Sequence, residues 1–337
     1  MLVKILNLKL SKLYIALGAT LFTTISYSSD FNRCTQLFYS KTPPVVSNAL
    51  LAKNNYDLCY SGFAVKYSGI SKTGLWSASI LTPESLSEAY KIKRNNTFHE
   101  EERIPLVFRS LLSDYRGSSM DRGHLSPSGD RKSIQDQYDS FSLSNMLPQS
   151  PSNNQQEWRM IEEAVRAYVT RYKQPVYVIT GTLFLGNKLR KIGNNVLVPS
   201  HVYKVVLFPT LNVAGAYVAV NDESGRYDYV SVNQLQQFSG IIYFPTALKS
   251  DLLNYRFVLP FNSNEAVNMK HFRVAPEKLS NIFNELPRNG INNRSSDIHQ
   301  VKTQAQKNRS DVIDLASDSA KSNAVLITDW VRRILSK

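Results

Sequence analysis

The sequence predicts an α+β fold built on a largely antiparallel sheet. Runs of β-branched and aromatic residues fall into two blocks, and one long amphipathic helix lies between them. Hydrophobic residues make up 42% of the chain and aromatic residues 11%, enough for a well-packed interior.

Taken in order, Thr42-Pro43-Pro44 closes an irregular N-terminal arm. Residues 63–67 and 75–81 read as strands, joined by a segment whose Gly69 and Gly74 suit a hairpin. Thr82-Pro83-Glu84-Ser85 opens a short helical or irregular stretch. The polar, glycine-punctuated residues 92–130 read as a long functional loop. A short strand is expected at 141–144, followed by a loop with Pro148 and Pro151. The helix then spans 153–172, with Trp158, Ile161, Val165, Tyr168 and Tyr172 spaced three and four apart on one face. Strands follow at 176–180, 196–198, 201–208 and 214–220, then a helix at 231–238 that Gly240 ends. From 286 to 323 the composition turns to Asn, Ser, Gln, Lys and Asp and reads as a flexible tail, with a short amphipathic helix expected at 324–335.

The first 29 residues read as a signal peptide. Lys4, Lys9 and Lys12 precede an apolar run, and Ser26 and Ser28 suit cleavage near position 28 or 29. An uncleaved membrane anchor is the alternative, but the uncharged run is at the short limit for a span and ends in polar residues. The expected mature domain is 30–285, exported to the periplasm or medium, with no stable membrane association after cleavage. Forty Lys and Arg against 27 Asp and Glu give a net charge of +13, which favours polyanionic partners. Cys34 and Cys59 can close a disulfide in an oxidising compartment, with two buried thiols as the alternative.

The chemistry centres on Asp121-Arg122-Gly123-His124. Downstream follow Phe141-x-Leu143-Ser144-Asn145-x-x-Pro148-Gln149, Asn154-Gln155-x-x-Trp158, and Glu162. Hydrolysis of a phosphodiester needs a base for water, a cation for the developing charge, and help for the leaving oxygen. Histidine is a natural base at neutral pH. Mg²⁺ prefers hard oxygen donors and keeps most of its waters, so an Asn oxygen and a nearby carboxylate suffice. Arginine grips phosphate bidentately. On a regular helix Asn154 and Glu162 would stand roughly 12 Å apart, so one is expected to bind the metal directly and the other through water. His99-Glu100-Glu101 resembles the start of a zinc-protease motif, but Arg103 occupies the second histidine position.

These motifs resemble the DNA/RNA non-specific endonucleases of the ββα-metal (His-Me finger) class, the family that includes endonuclease G. The similarity extends from about Cys34 to Pro260 and takes in Trp76, Arg94, Asp114-Tyr115 and 240–245. The resemblance implies His124 as general base and Asn154 as the sole direct protein ligand of Mg²⁺, with Mn²⁺ or another divalent cation able to substitute. It implies that Glu162 holds metal waters and protonates the leaving 3′ oxygen. Arg94 and Arg122 would bind phosphate, and Asn145 would position the site. Arg103 and Arg109 stand in the same loop as alternatives to Arg94. DNA and RNA would be the substrates, 5′-phosphate and 3′-hydroxyl the product ends, and a homodimer is common in such proteins. The competing reading is a catalytically silent, exported polyanion-binding protein on the same fold, distinguished by its indifference to divalent metal. Asp121 is expected to orient the motif loop, and Trp76 and Trp158 to sit in the core.

Overall fold

In the computed structural model the strands are β1 (Val45–Val46), β2 (Asn55–Cys59), β3 (Ala64–Ser68), β4 (Thr73–Leu81), β5 (Asp121–His124), β6 (Met146–Gln149), β7 (Val176–Leu183), β8 (Lys191–Ile192), β9 (Val196–Leu197), β10 (His201–Phe208), β11 (Val213–Val220), β12 (Tyr227–Val230), β13 (Ile241–Ile242), β14 (Arg256–Val258) and β15 (Arg273–Ala275). The helices are α1 (Pro83–Ala89), α2 (Ile134–Ser140), α3 (Pro151–Gln155), α4 (Glu157–Tyr172), α5 (Val232–Ser239) and a short one at Ser263–Asn268. The structure describes residues 30–283 except 50, 187–188, 246–252 and 277–279. The expected signal peptide and C-terminal tail therefore lie outside the described residues.

Seven strands make one antiparallel sheet in the order β12-β11-β10-β7-β4-β3-β2. Its central strands are apolar along most of their length because both faces are covered. Along β10, Tyr203, Val205 and Leu207 point into one core, while Val202, Val206 and Phe208 point into the other. The first core is capped by the N-terminal arm (Phe31, Leu37, Phe38) and by Leu235 of α5. The second is capped by α4 through Trp158, Ile161, Val165 and Tyr168. Thr82 caps α1 with a reciprocal bond to Ser85, and Ser231 caps α5. Gly240 ends α5 at φ +64°, a left-handed conformation that glycine adopts without steric cost.

The structure departs from expectation in several places, and the stretch read as a loop at 92–130 contains the strand β5. Edge strands β2 and β12 appear where polar, half-exposed residues such as Asn55, Asp57 and Asp228 give a weak strand signal. The strand expected at 141–144 is a 3₁₀ turn at Leu143–Asn145, and the strand β6 follows it. Pro148 argues against a central ladder, and among the described residues β6 pairs only with β5. The long helix is interrupted at Gln156, whose φ −116° and ψ −92° separate α3 from α4.

Cys34 and Cys59 form a disulfide that fastens the arm to β2. It closes a loop of sequence separation 25, so replacing both cysteines with serine should cost about 3 kcal/mol. A thermal melt of the double variant should show a midpoint lower by roughly 6–12 °C; an unchanged midpoint would mean that packing alone holds the arm.

Candidate active site

The site grows out of the small hairpin-like pair of β5 with β6, in which Asp121 faces Gln149 and His124 faces Met146. From β6 the chain passes through Ser150 into α3, where Pro151 takes the first helical position. Two antiparallel strands and a broken helix thus form one ββα unit. Gly123 is required by its neighbour: a Cβ there would lie 1.9 Å from Oε1 of Gln149. The space lets the Gln149 side chain cross the strand and donate to Asn153 Oδ1 at 2.6 Å, tying β6 to α3.

Asn145 is fully buried and does not line the cleft. Its Oδ1 accepts from the Ser126 N–H at 3.0 Å, and its Nδ2 donates to the carbonyls of Ser126 and Ser140, both at 2.9 Å. It is a strut that fixes the chain just after His124, with no amide group left to meet a substrate.

A cleft of about 790 Å³ opens over the ββα unit. Arg94, Arg122, His124, Asn154, Glu162 and Arg166 all line it. The alternatives to Arg94 are occupied elsewhere. Arg103 pairs with Glu101 at 2.8 Å, and Arg109 donates to the carbonyls of Ile104 and Glu102. Arg94 and Arg122 are held by aromatic faces. The Arg94 guanidinium lies 5.3 Å from the Phe141 ring centroid and that of Arg122 lies 4.2 Å from Phe98. Phe98 and Phe141 meet edge to face at 4.9 Å, and His124 packs edge-on against Phe141 at 4.9 Å.

Asp121 does more than orient a loop. Its Oδ2 accepts from Asn154 Nδ2 and from Gln155 Nε2, each at 2.8 Å. An ionised carboxylate only accepts, so it must face the amide nitrogen of Asn154 and leave Oδ1 for another partner. Among the described residues no group of three or more His, Cys, Asp or Glu could hold a metal ion. The donor set still fits a hard cation that retains its water: one directed amide oxygen and the Glu162 carboxylate on the same cleft. The break at Gln156 removes the regular-helix premise for the separation of Asn154 and Glu162, since the two residues stand on different helical segments.

The electrostatics differ sharply between the two titratable groups. Burial, then the charges of Arg94 and Arg131, depress His124 to about 3, so its imidazole is neutral at physiological pH. Its Nε2 is shielded from solvent with no hydrogen-bond partner among the described residues, which leaves Nδ1 as the nitrogen open to the cleft. Glu162 is raised to about 7, mainly by burial and secondarily by Asp130, against the opposing pull of Lys204, Arg166 and Arg94. Lys204, 2% exposed, projects from the central strand β10, donates to Thr180 Oγ1 at 2.7 Å and lies 5.2 Å from the Trp158 ring. Arg166 pairs with Asp130 at 2.9 Å.

Ionising Glu162 therefore opposes folding. A carboxyl raised above its unfolded value of about 4.5 imposes no penalty below that pH and its full penalty above about 7. Glu162→Gln should stabilise the metal-free protein by about 1–3 kcal/mol at pH 8. The gain should vanish by pH 4.5. Parallel melts in EDTA at the two pH values would test this, and a gain independent of pH would refute the charge argument.

Sequence reasoning did not reach Arg166, Lys204 or the Asp121–Asn154 link. Arg166 carried a signal, since it stands four residues after Glu162 on one helix face. Lys204 carried none, because a lysine within a strand ordinarily points to water.

Comparison with known proteins bears on the family and the fold. The model of the DNA/RNA non-specific endonuclease family matches residues 36–250. The chain is 32% identical over 202 residues to Nuclease C1 of Cunninghamella echinulata var. echinulata, covering 54% of this chain and 80% of that one. It is 33% identical over 221 residues to mitochondrial endonuclease G of Bos taurus, covering 59% of this chain and 70% of the relative. A crystal structure of the EndoG/EndoGI complex is similar at a TM-score of 0.50 and 28% identity, over 56% of this chain and 85% of the other.

Proposed function

Because this chain belongs to the DNA/RNA non-specific endonuclease family, we propose that it is an exported, Mg²⁺-dependent endonuclease that hydrolyses both DNA and RNA. The observation that carries the mechanism is the directed amide of Asn154, whose nitrogen is held by Asp121 and whose oxygen remains available on the His124 cleft.

Asn154 Oδ1 would bind the cation directly, and Glu162 would hold it through water. When bound, the cation supplies charge stabilisation for the pentacovalent phosphorus and for the leaving oxygen. The neutral imidazole of His124 accepts a proton from the attacking water as its oxygen bonds to phosphorus. Arg94 and Arg122, each laid on a phenylalanine, grip the non-bridging oxygens with little freedom to lose. The P–O3′ bond breaks, the 3′ oxygen takes a proton by way of Glu162, and the ends are 5′-phosphate and 3′-hydroxyl. Nothing in this scheme reads a base edge, which suits cleavage indifferent to sequence. Export ahead of Asp30 is part of the same proposal. The lysine-rich, then apolar, then small-residue N-terminus supports it, as does a disulfide suited to an oxidising compartment.

The test is incubation of the chain from Asp30 onward with plasmid DNA and with total RNA, in Mg²⁺ or in excess EDTA, followed by analysis of the ends. Metal-dependent loss of both polymers with 5′-phosphate ends is the expected result. Retention of DNA without cleavage across divalent metals would favour the silent polyanion-binding reading.

A further inference from the structure

A second groove of about 560 Å³ adjoins the cleft, walled by Asn96, Phe98, Leu112, Tyr115, Arg116 and Arg122. Asn96, Phe98, Tyr115 and Arg122 also wall the cleft itself, so the two form one continuous trough. Arg122, stacked on Phe98, is one of the residues that line both.

One feature of the second groove lacks a purpose within the protein. Arg116 is exposed on a turn shaped by Gly117 at φ +69° and Ser119 at φ +59°, and its side chain has no ion pair or hydrogen bond among the described residues. Beside this donor lie Phe98 and Leu112, the latter 37% exposed, which offer apolar surface to a sugar or base face.

We propose that this groove is a flanking phosphate subsite, in which Arg116, with Arg122 at the edge it shares with the cleft, holds the phosphodiester next to the one being cut. The inference rests on the nuclease reading above. A polymer lying along the trough carries its next anion past the shared Arg122, into a pocket that supplies donors and no carboxylate wall.

The test compares two substrates, a single-stranded oligonucleotide of about 16 nucleotides and bis(p-nitrophenyl) phosphate, which has one diester and nothing to fill a second subsite. Arg116→Ala should lower kcat/KM on the oligonucleotide about tenfold, chiefly through KM. It should leave the small diester unaffected. The slope of log binding against log salt should become shallower by about 0.7. Unchanged oligonucleotide kinetics in Arg116→Ala would overturn the subsite, and so would equal losses on both substrates. If the wild type cleaves neither substrate with any divalent cation, the nuclease reading fails separately. Oligonucleotide binding then decides the subsite: weaker binding by Arg116→Ala supports it and unchanged binding overturns it.

Discussion

Replacing His124 with alanine should lower kcat on DNA and RNA by about 10³–10⁴-fold while the protein stays folded. Among the described residues that line the cleft His124 is the one histidine, its imidazole is neutral, and alanine leaves water to lose its proton unaided. The pH dependence follows from the same environment. His124, depressed to about 3, does not protonate near its usual value, so activity should show no acid limb near 6.5 from this ring. Stability moves separately. The unfolded histidine takes up a proton near 6.5 and the folded one resists to about 3, so His124 withdraws stability as pH falls through that window, opposing the gain from Glu162 between about 7 and 4.5. His124→Ala should flatten this loss. A variant that kept a tenth of wild-type activity would show that another group is the base.

The second large effect is expected at Asn154. Asn154→Ala removes the directed oxygen and should reduce activity by about 10²–10³-fold, with an accompanying loss of Mg²⁺ affinity measurable by calorimetry. Asp121→Ala should be milder, about 10–100-fold, because the oxygen is retained and only its orientation is lost. Added Mg²⁺ should recover Asp121→Ala further than Asn154→Ala. Equal, unrecoverable losses in both would mean that Asp121 is itself a ligand.

The sequence made the central strands legible because they are apolar along most of their length, and α4 legible because its stripe from Trp158 to Tyr172 keeps helical spacing. The strand β6 was displaced because Pro148 lies within it, and proline is a poor marker for a ladder that pairs on one side only. The break at Gln156 had no marker at all, since neither glycine nor proline occurs there; it arises where the chain turns from β6 onto the sheet. At the site, His124, Asn154, Glu162, Arg94 and Arg122 were identified by motif, and the structure gathers them around one cleft. What motif reading could not supply was the division of labour among buried polar groups. Asn145 and Asp121 are both polar residues near the motif, yet one braces backbone and the other aims an amide. That difference depends on which atoms face each other across β5 and β6, a matter of register that spacing along the chain does not encode.

The placement of the ββα unit has a consequence for how the protein comes into being. β4 ends at Leu81 and its sheet neighbour β7 begins at Val176, and every cleft residue named above lies in the excursion between them. Joining two strands so far apart in the chain is a high-contact-order event, slow because a long loop must be closed before any contact repays the lost entropy. The unit that bears the cleft residues packs on the sheet this closure completes, since Leu125 and Leu147 share a core with Val176 and Val178 of β7. A chain still being synthesised thus carries all of these residues before it has the cleft they line, and the site arrives late, as a property of the finished tertiary structure.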